Sequence, residues 1–132
     1  MIDSIKIQNL IYDSSEVYIT AHKNIDLDAL GSVLGMYYVI KNCGKSVTII
    51  IDDEKVNPEV KRSLDTIKKL DNIIPVRYDD IKRKLNDKSL LIITDTNKCK
   101  RLQNEQLKKL KRKIVIDHHV RTDDTIDDAI YE

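Results

Sequence analysis

The sequence predicts an α/β fold: a mostly parallel sheet with helices on both faces. Three observations predict it. Short β-branched apolar runs recur at 16–20, 46–51, 89–94 and 113–116. Segments with apolar residues at helical spacing lie between them. The runs at 16–20, 89–94 and 113–116 are each followed within two residues by a histidine or an aspartate. In an open parallel sheet the carboxyl ends of the strands are where ligands bind.

In chain order, 2–12 reads as a short leading helix with an apolar face of Ile2, Ile5, Leu10 and Ile11. Glu16 to Thr20 is short, β-branched and aromatic, the pattern of a buried strand. Leu27, Leu30, Val33, Leu34, Tyr37 and Ile40 then mark a helix that stops at Gly44, a C′ glycine. Gly31 and Gly35, four apart, are expected to share a face that lets this helix approach the sheet closely. Ser46 to Ile51 is the second strand and closes a βαβ unit. Asp52-Asp53-Glu54 after it reads as a solvated acidic turn, with strand-end acids beside a metal site as the alternative. Val60, Leu64, Ile67 and Leu70 predict a helix over 58–70 with Pro58 in its first turn. Residues 72–76 form a short strand, 79–85 a short capped helix, 89–94 a buried strand, 96–101 a polar loop, 104–111 a helix buried through Leu107 and Leu110, and 113–116 a further strand.

The stretch His22-Lys23-Asn24-Ile25-Asp26-Leu27-Asp28 packs one imidazole and two carboxylates into seven residues where a strand passes into a helix. Imidazole and carboxylate are ligands of Zn²⁺, Mn²⁺ and Fe²⁺, and carboxylates this close favour a cation between them. The plainer reading makes Asp26 a helix cap, Asp28 a first-turn acid and His22 a loop residue. Asp95 after the third run, and Asp117-His118-His119 after the last, favour the metal reading. If the sheet is parallel, His22, Asp26, Asp28, Asp95, His118 and His119 converge on one rim, a metal site at the carboxyl-terminal ends of the strands.

At 132 residues the chain is one domain at most. Its formal net charge of +1 gives no global field for nucleic acid or membrane. No apolar run approaches the ~18 residues of a membrane span. The start is not a signal peptide, so a cytoplasmic domain is expected. Cys43 and Cys99 form no CxxC pair; Cys43 reads as a small packed or half-exposed residue, and Cys99 lies in the loop after Asp95, within reach of the site, with burial the commoner fate of a free thiol. Between Lys98 and Lys113 eight residues are Lys or Arg and Glu105 alone is acidic. A solvated helix surface explains most of this run. Lys98, Lys100 and Arg101, nearest Asp95, are candidates for attracting an anionic substrate. The run carries no aromatic residue for base stacking, which argues against a nucleic-acid groove.

His22-x-Asn24-x-Asp26-x-Asp28-Ala29-x-Gly31-Ser32, then Asp95, then Asp117-His118-His119, resemble in order and spacing the first three motifs of the DHH phosphoesterases, over roughly Val17 to Arg121. The wording of the first motif is most similar to the membrane-anchored cyclic-di-AMP phosphodiesterases of Gram-positive bacteria. The resemblance implies a two-metal site, with two divalent ions, Mn²⁺ foremost, sharing a water of lowered pKa. It makes Asp95 the bridging carboxylate, gives His22 and Asp26 to the first metal, and gives Asp28 and His118 to the second. His119 faces the phosphate, Asp117 orients the neighbouring imidazoles, and Asn24 and Arg121 are further substrate contacts.

The activity implied is hydrolysis of a cyclic dinucleotide, cyclic-di-AMP favoured, to a linear dinucleotide. The alternatives are a nanoRNA or 3′-phosphoadenosine phosphatase or a pyrophosphatase of the same superfamily, and, in another class, a non-catalytic nucleotide-sensing module. The expected partners are a small anionic nucleotide and the carboxy-terminal DHH-associated domain of a longer parent chain. No duplex nucleic acid is expected, and membrane contact only through an amino-terminal region of that parent. The sequence departs from the family in three places. Ile25 stands where proline is frequent, Val120-Arg121 follow where paired arginines are common, and a fourth-motif aspartate is not recognisable among Asp123, Asp124, Asp127 and Asp128. Residues 1–132 are therefore expected to be a truncated DHH domain with weak metal binding and little turnover.

Overall fold

The computed structural model describes residues 2–117, 124–126 and 129–131. Helix α1 (Ile2–Asp13) leads into β1 (Glu16–Thr20), α2 (Leu27–Asn42) and β2 (Val47–Ile49). Helices α3 (Pro58–Asp71) and α4 (Tyr78–Ile81) precede β3 (Ser89–Thr94). Two 3-10 turns, Cys99–Arg101 and Glu105–Lys109, lead to β4 (Arg112–Ile116) and β5 (Ala129–Tyr131). The five strands form one sheet in the order β2-β1-β3-β4-β5, and every pair is parallel.

The expected α/β class holds, and the alternation of the strands shows why both faces are covered. Val17 and Ile19 of β1, Leu90 and Ile92 of β3 and Ile114 of β4 pack with Ile11 of α1, Leu30, Val33, Tyr37 and Ile40 of α2 and Val60 of α3. Tyr18, Leu91, Ile93 and Val115 point the other way, against Ile81 of α4 and Leu102, Leu107 and Leu110 of the turns. Every residue of β3 is buried, as a central strand covered on both faces requires.

From β1 the chain steps outward to β2, then crosses back to lay β3 on the other side of β1. The carboxyl ends of β1 and β3 therefore flank the point where the winding reverses, the usual crevice for a ligand in such sheets. Register carries this further. Thr20 pairs with Ile93, so two residues beyond that pair come His22 and Asp95, side by side. Thr94 pairs with Ile116, which sets Asp95 beside Asp117.

Several expectations are corrected. Residues 72–76 are not a strand: a single parallel bridge joins Val76 to Ile50, the Val76 N–H donating to the Ile49 carbonyl and the Ile51 N–H to the Val76 carbonyl. Residues 104–111 form no α-helix, and Leu107 and Leu110, three apart, suit the 3-10 turn that forms instead. Helix α4 stops at Ile81, four residues short of the expected end. Strand β5 was not anticipated. Gly31 and Gly35 do not face the sheet; both are exposed, and a Cβ on either would meet nothing within 4 Å. The Gly44 expectation holds: it follows the Cys43 cap with φ +83°, where only glycine is unstrained.

Candidate metal centre

Beyond β1 the chain makes a loop, 21–26, whose ends carry His22 and Asp26. His22 is 6% exposed. Its Nδ1 lies 2.6 Å from the Lys23 carbonyl oxygen, which can only accept, so Nδ1 carries the proton and donates. In the neutral ring that leaves the Nε2 lone pair free to face the carboxylates, the tautomer a metal needs. Nε2 stands 3.4 Å from Asp95 Oδ2 and 3.8 Å from Asp26 Oδ2.

Asp26 is the N-cap of α2: its Oδ1 accepts the Ala29 N–H at 2.8 Å, which fixes the side chain and leaves Oδ2 turned toward His22. The plainer sequence reading of Asp26 is thus true at one oxygen, and the other oxygen stands in the cluster. Asp95 leaves β3 in the left-handed region, φ +62°, a conformation that aspartate tolerates better than most residues. Its N–H donates to the Ile116 carbonyl at 3.0 Å, so β4 holds the turn that presents the carboxylate.

The ligand atoms of His22, Asp26 and Asp95 all lie within 4.8 Å of one another. Bonds of about 2.0–2.2 Å to one ion leave neighbouring donors roughly 3–4 Å apart, and the two His22 separations, 3.8 and 3.4 Å, suit a single divalent cation. The three line a cavity of about 210 Å³ with Thr96, Asn97, Lys98 and Arg101. Lys98 and Arg101 set two positive side chains in the wall of a site that otherwise offers carboxylates. Lys100, the third basic candidate, is not in that wall; its N–H donates to Asp124 Oδ2 at 3.1 Å.

Asp28 is exposed in the first turn of α2, outside the three-residue group. Asn24 is exposed with φ +54°. Asp117 Oδ2 accepts from Asn97 Nδ2 at 2.9 Å, which ties it to a residue of the cavity wall. His118, His119 and Arg121 lie outside the described residues, as do Asp123, Asp127 and Asp128. Cys43 is exposed at the end of α2 and Cys99 is half-buried, and neither lines the cavity. In the basic run, Lys113 is not part of a solvated surface: it is 4% exposed, and its Nζ donates to the Lys108 and Leu110 carbonyls.

Two residues that sequence reasoning missed organise the loop. Asp53 was expected in a solvated acidic turn; its carboxylate instead accepts the N–H groups of Asn24 (3.0 Å) and Ile25 (2.9 Å). Gln103 is 6% exposed and ties three segments together. Its Oε1 accepts the Asp52 and Asp53 N–H groups at 2.6 and 2.9 Å. Its Nε2 donates to the His22 carbonyl at 2.9 Å and to Asp53 Oδ2 at 2.8 Å. Asp52 is a structural acid too, accepting from the Tyr78 N–H at 2.7 Å and from Asn104 Nδ2 at 2.9 Å. A strand-end acid pair was the only signal in the sequence.

The N-terminal domain of the DHH family matches residues 16–132. The chain belongs to the DHH family. Among curated relatives, this chain is 31% identical over 127 residues to cyclic-di-AMP phosphodiesterase GdpP of Bacillus subtilis (strain 168). It is 28% identical over 123 residues to cyclic-di-AMP phosphodiesterase PdeA of Listeria monocytogenes serotype 1/2a (strain 10403S). These alignments take in 94% and 91% of this chain but 19% of each relative, so the chain spans about a fifth of their length. A solved exopolyphosphatase-related protein from Bacteroides fragilis superposes with a TM-score of 0.73 over 98% of this chain and 38% of its own, at 22% identity. That likeness shows the shared fold.

Proposed function

We propose that this DHH domain is the catalytic half of a metal-dependent phosphodiesterase that hydrolyses a cyclic dinucleotide, cyclic-di-AMP before others, to the linear dinucleotide. One observation carries the reading: His22, Asp26 and Asp95 gather at the winding reversal in a cavity walled by Lys98 and Arg101. The relatives named cyclic-di-AMP phosphodiesterases support the choice of substrate.

In this reading His22 Nε2, Asp26 Oδ2 and Asp95 Oδ2 would hold the first ion, and Asp28 and His118, with Asp95, would hold the second. Bound there, divalent metal, Mn²⁺ foremost, supplies Lewis acidity and a water of lowered pKa. The chain's own residues do the rest. Lys98 and Arg101 balance the phosphodiester's charge and draw an anion into the cavity. Asp117, held through Asn97, orients the residues that follow β4, and His119, Asn24 and Arg121 complete the substrate contacts. The carboxy-terminal DHH-associated domain of a parent chain is the expected partner, covering the cavity and keeping water from the bound nucleotide. Among the described residues no helix is long and apolar enough to cross a membrane.

The test is hydrolysis by the parent protein with added Mn²⁺, its product resolved by chromatography. Cyclic-di-AMP is expected to yield the linear dinucleotide, and Asp95→Ala to abolish it. Turnover of short oligonucleotides, 3′-phosphoadenosine phosphate or pyrophosphate in its place would move the assignment to another branch. Binding of nucleotide with hydrolysis untouched by Asp95→Ala would make the domain a sensor. The 132-residue chain alone is expected to turn over slowly.

A further inference from the structure

We infer that Asp53, locked by Gln103, is a positioning residue for the metal centre: it sets the shape of the loop that holds His22 and Asp26 at ligand spacing. The inference rests on the metal reading above. Three features carry it. First, Asn24 is in the left-handed region at φ +54°, and its N–H and that of Ile25 turn toward the same side. Successive amides in such a bend form a concavity that takes an anion. Here the anion is the Asp53 carboxylate, one oxygen on each N–H.

Second, the carboxylate is not free to leave. Gln103 Nε2 donates to its Oδ2, and Oε1 accepts the N–H of Asp53 itself. The same amide nitrogen also donates to the carbonyl of His22, so one buried side chain joins the anion to the loop's first ligand. All the hydrogen-bonding capacity of the Gln103 amide is spent on this junction. Third, the rest of the loop has little regular support. One antiparallel bridge pairs His22 with Leu102, the Lys23 N–H donating to the Arg101 carbonyl at 2.6 Å and the Gln103 N–H to the Ala21 carbonyl at 3.2 Å, and beyond it the Asn24 and Ile25 amides are held by Asp53. Neither Asp53 nor Gln103 lines the cavity, so they act on the site only through the loop.

The consequence is that the spacing of His22 Nε2 and Asp26 Oδ2 depends on a residue from the far end of β2. Asp53→Asn keeps size and shape but offers an NH₂ to one of the two loop amides, which must break that contact. Gln103→Glu keeps the acceptor for the Asp52 and Asp53 N–H groups, loses the donor to His22, and sets a second carboxylate against Asp53.

The experiment measures amide hydrogen exchange and Mn²⁺ affinity in the chain and in both variants. Without metal, the Asn24 and Ile25 amides are expected to exchange at least about tenfold faster in the variants, while Leu91 and Ile92 in β3 keep their protection. Mn²⁺ affinity is expected to fall about 10–100-fold, the usual effect of removing a group that orients a metal ligand. Unchanged exchange at Asn24 and Ile25 overturns the inference, as does faster exchange with Mn²⁺ affinity within about twofold of the parent. Loss of β3 protection in both variants also overturns it, since the pair would then be determinants of the whole fold. Absence of Mn²⁺ binding by the unaltered chain overturns the metal reading instead, and the exchange result then decides on its own whether Asp53 shapes the loop.

Discussion

Asp26 does two jobs with two oxygens, and a substitution can separate them. Serine at this position still caps α2 but removes the oxygen that faces His22. Asp26→Ser is expected to keep stability within about 0.5 kcal/mol and to lose Mn²⁺ affinity, whereas Asp26→Ala loses the cap as well, about 1 kcal/mol. Urea denaturation and metal titration on the two variants check this. Asp95 gives a parallel case. Asparagine tolerates φ +62° nearly as well as aspartate, so Asp95→Asn is expected to leave thermal stability almost unchanged while weakening metal binding. Asp95→Ala is expected to lose about 1 kcal/mol besides, measured by the same denaturation. At this scale the sequence was legible where a residue's role is local: Asp26 precedes its helix and Asp95 ends its strand. It was not legible for Asp53 and Gln103. Their contacts span 50 residues in sequence and exist only once β2 lies beside β1.

The buried stripe of α2, Leu30, Val33, Tyr37 and Ile40, lies on the opposite side of the helix from Gly31 and Gly35. Spacing of four places two glycines on one face but does not say which face; the apolar stripe does. With open space beyond each Cβ, Gly35→Ala is expected to stabilise the domain by about 0.5–1 kcal/mol in chemical denaturation. Destabilisation would mean that another surface sits on that face. Strand β1 makes a second prediction. Tyr18 is buried on the far face of the sheet and its hydroxyl donates to Glu16 Oε2 at 2.5 Å. Burial foremost, then the Glu16 carboxylate, push its pKa well above the ordinary 10.0. The folded chain therefore keeps this proton when the unfolded chain begins to lose it. Stability from this residue is intact below pH 10.0 and falls as pH rises beyond it. Tyr18→Phe is expected to flatten the alkaline limb of a stability-against-pH curve. An unchanged slope would show that Tyr18 does not contribute to it.

At the scale of the whole molecule, the order β2-β1-β3-β4-β5 turns separate sequence signals into one place. The strand runs and the acids after them were visible in the sequence. That His22 and Asp95 stand in register follows from the pairing of Thr20 with Ile93, which no local pattern contains. The short pieces were read less well for a physical reason. The stretches around Pro75, the Leu107 turn and β5 are only a few residues long, so tertiary packing rather than intrinsic preference decides their form. The long, strongly patterned elements, α2, α3 and β3, came out close to their expected bounds. In the function proposed above, this topology brings one imidazole and two carboxylates together to hold a divalent cation. Anomalous diffraction from crystals soaked in Mn²⁺ tests it most directly. A peak is expected about 2.0–2.2 Å from His22 Nε2, Asp26 Oδ2 and Asp95 Oδ2. No peak there, or one out of reach of these three atoms, would contradict it.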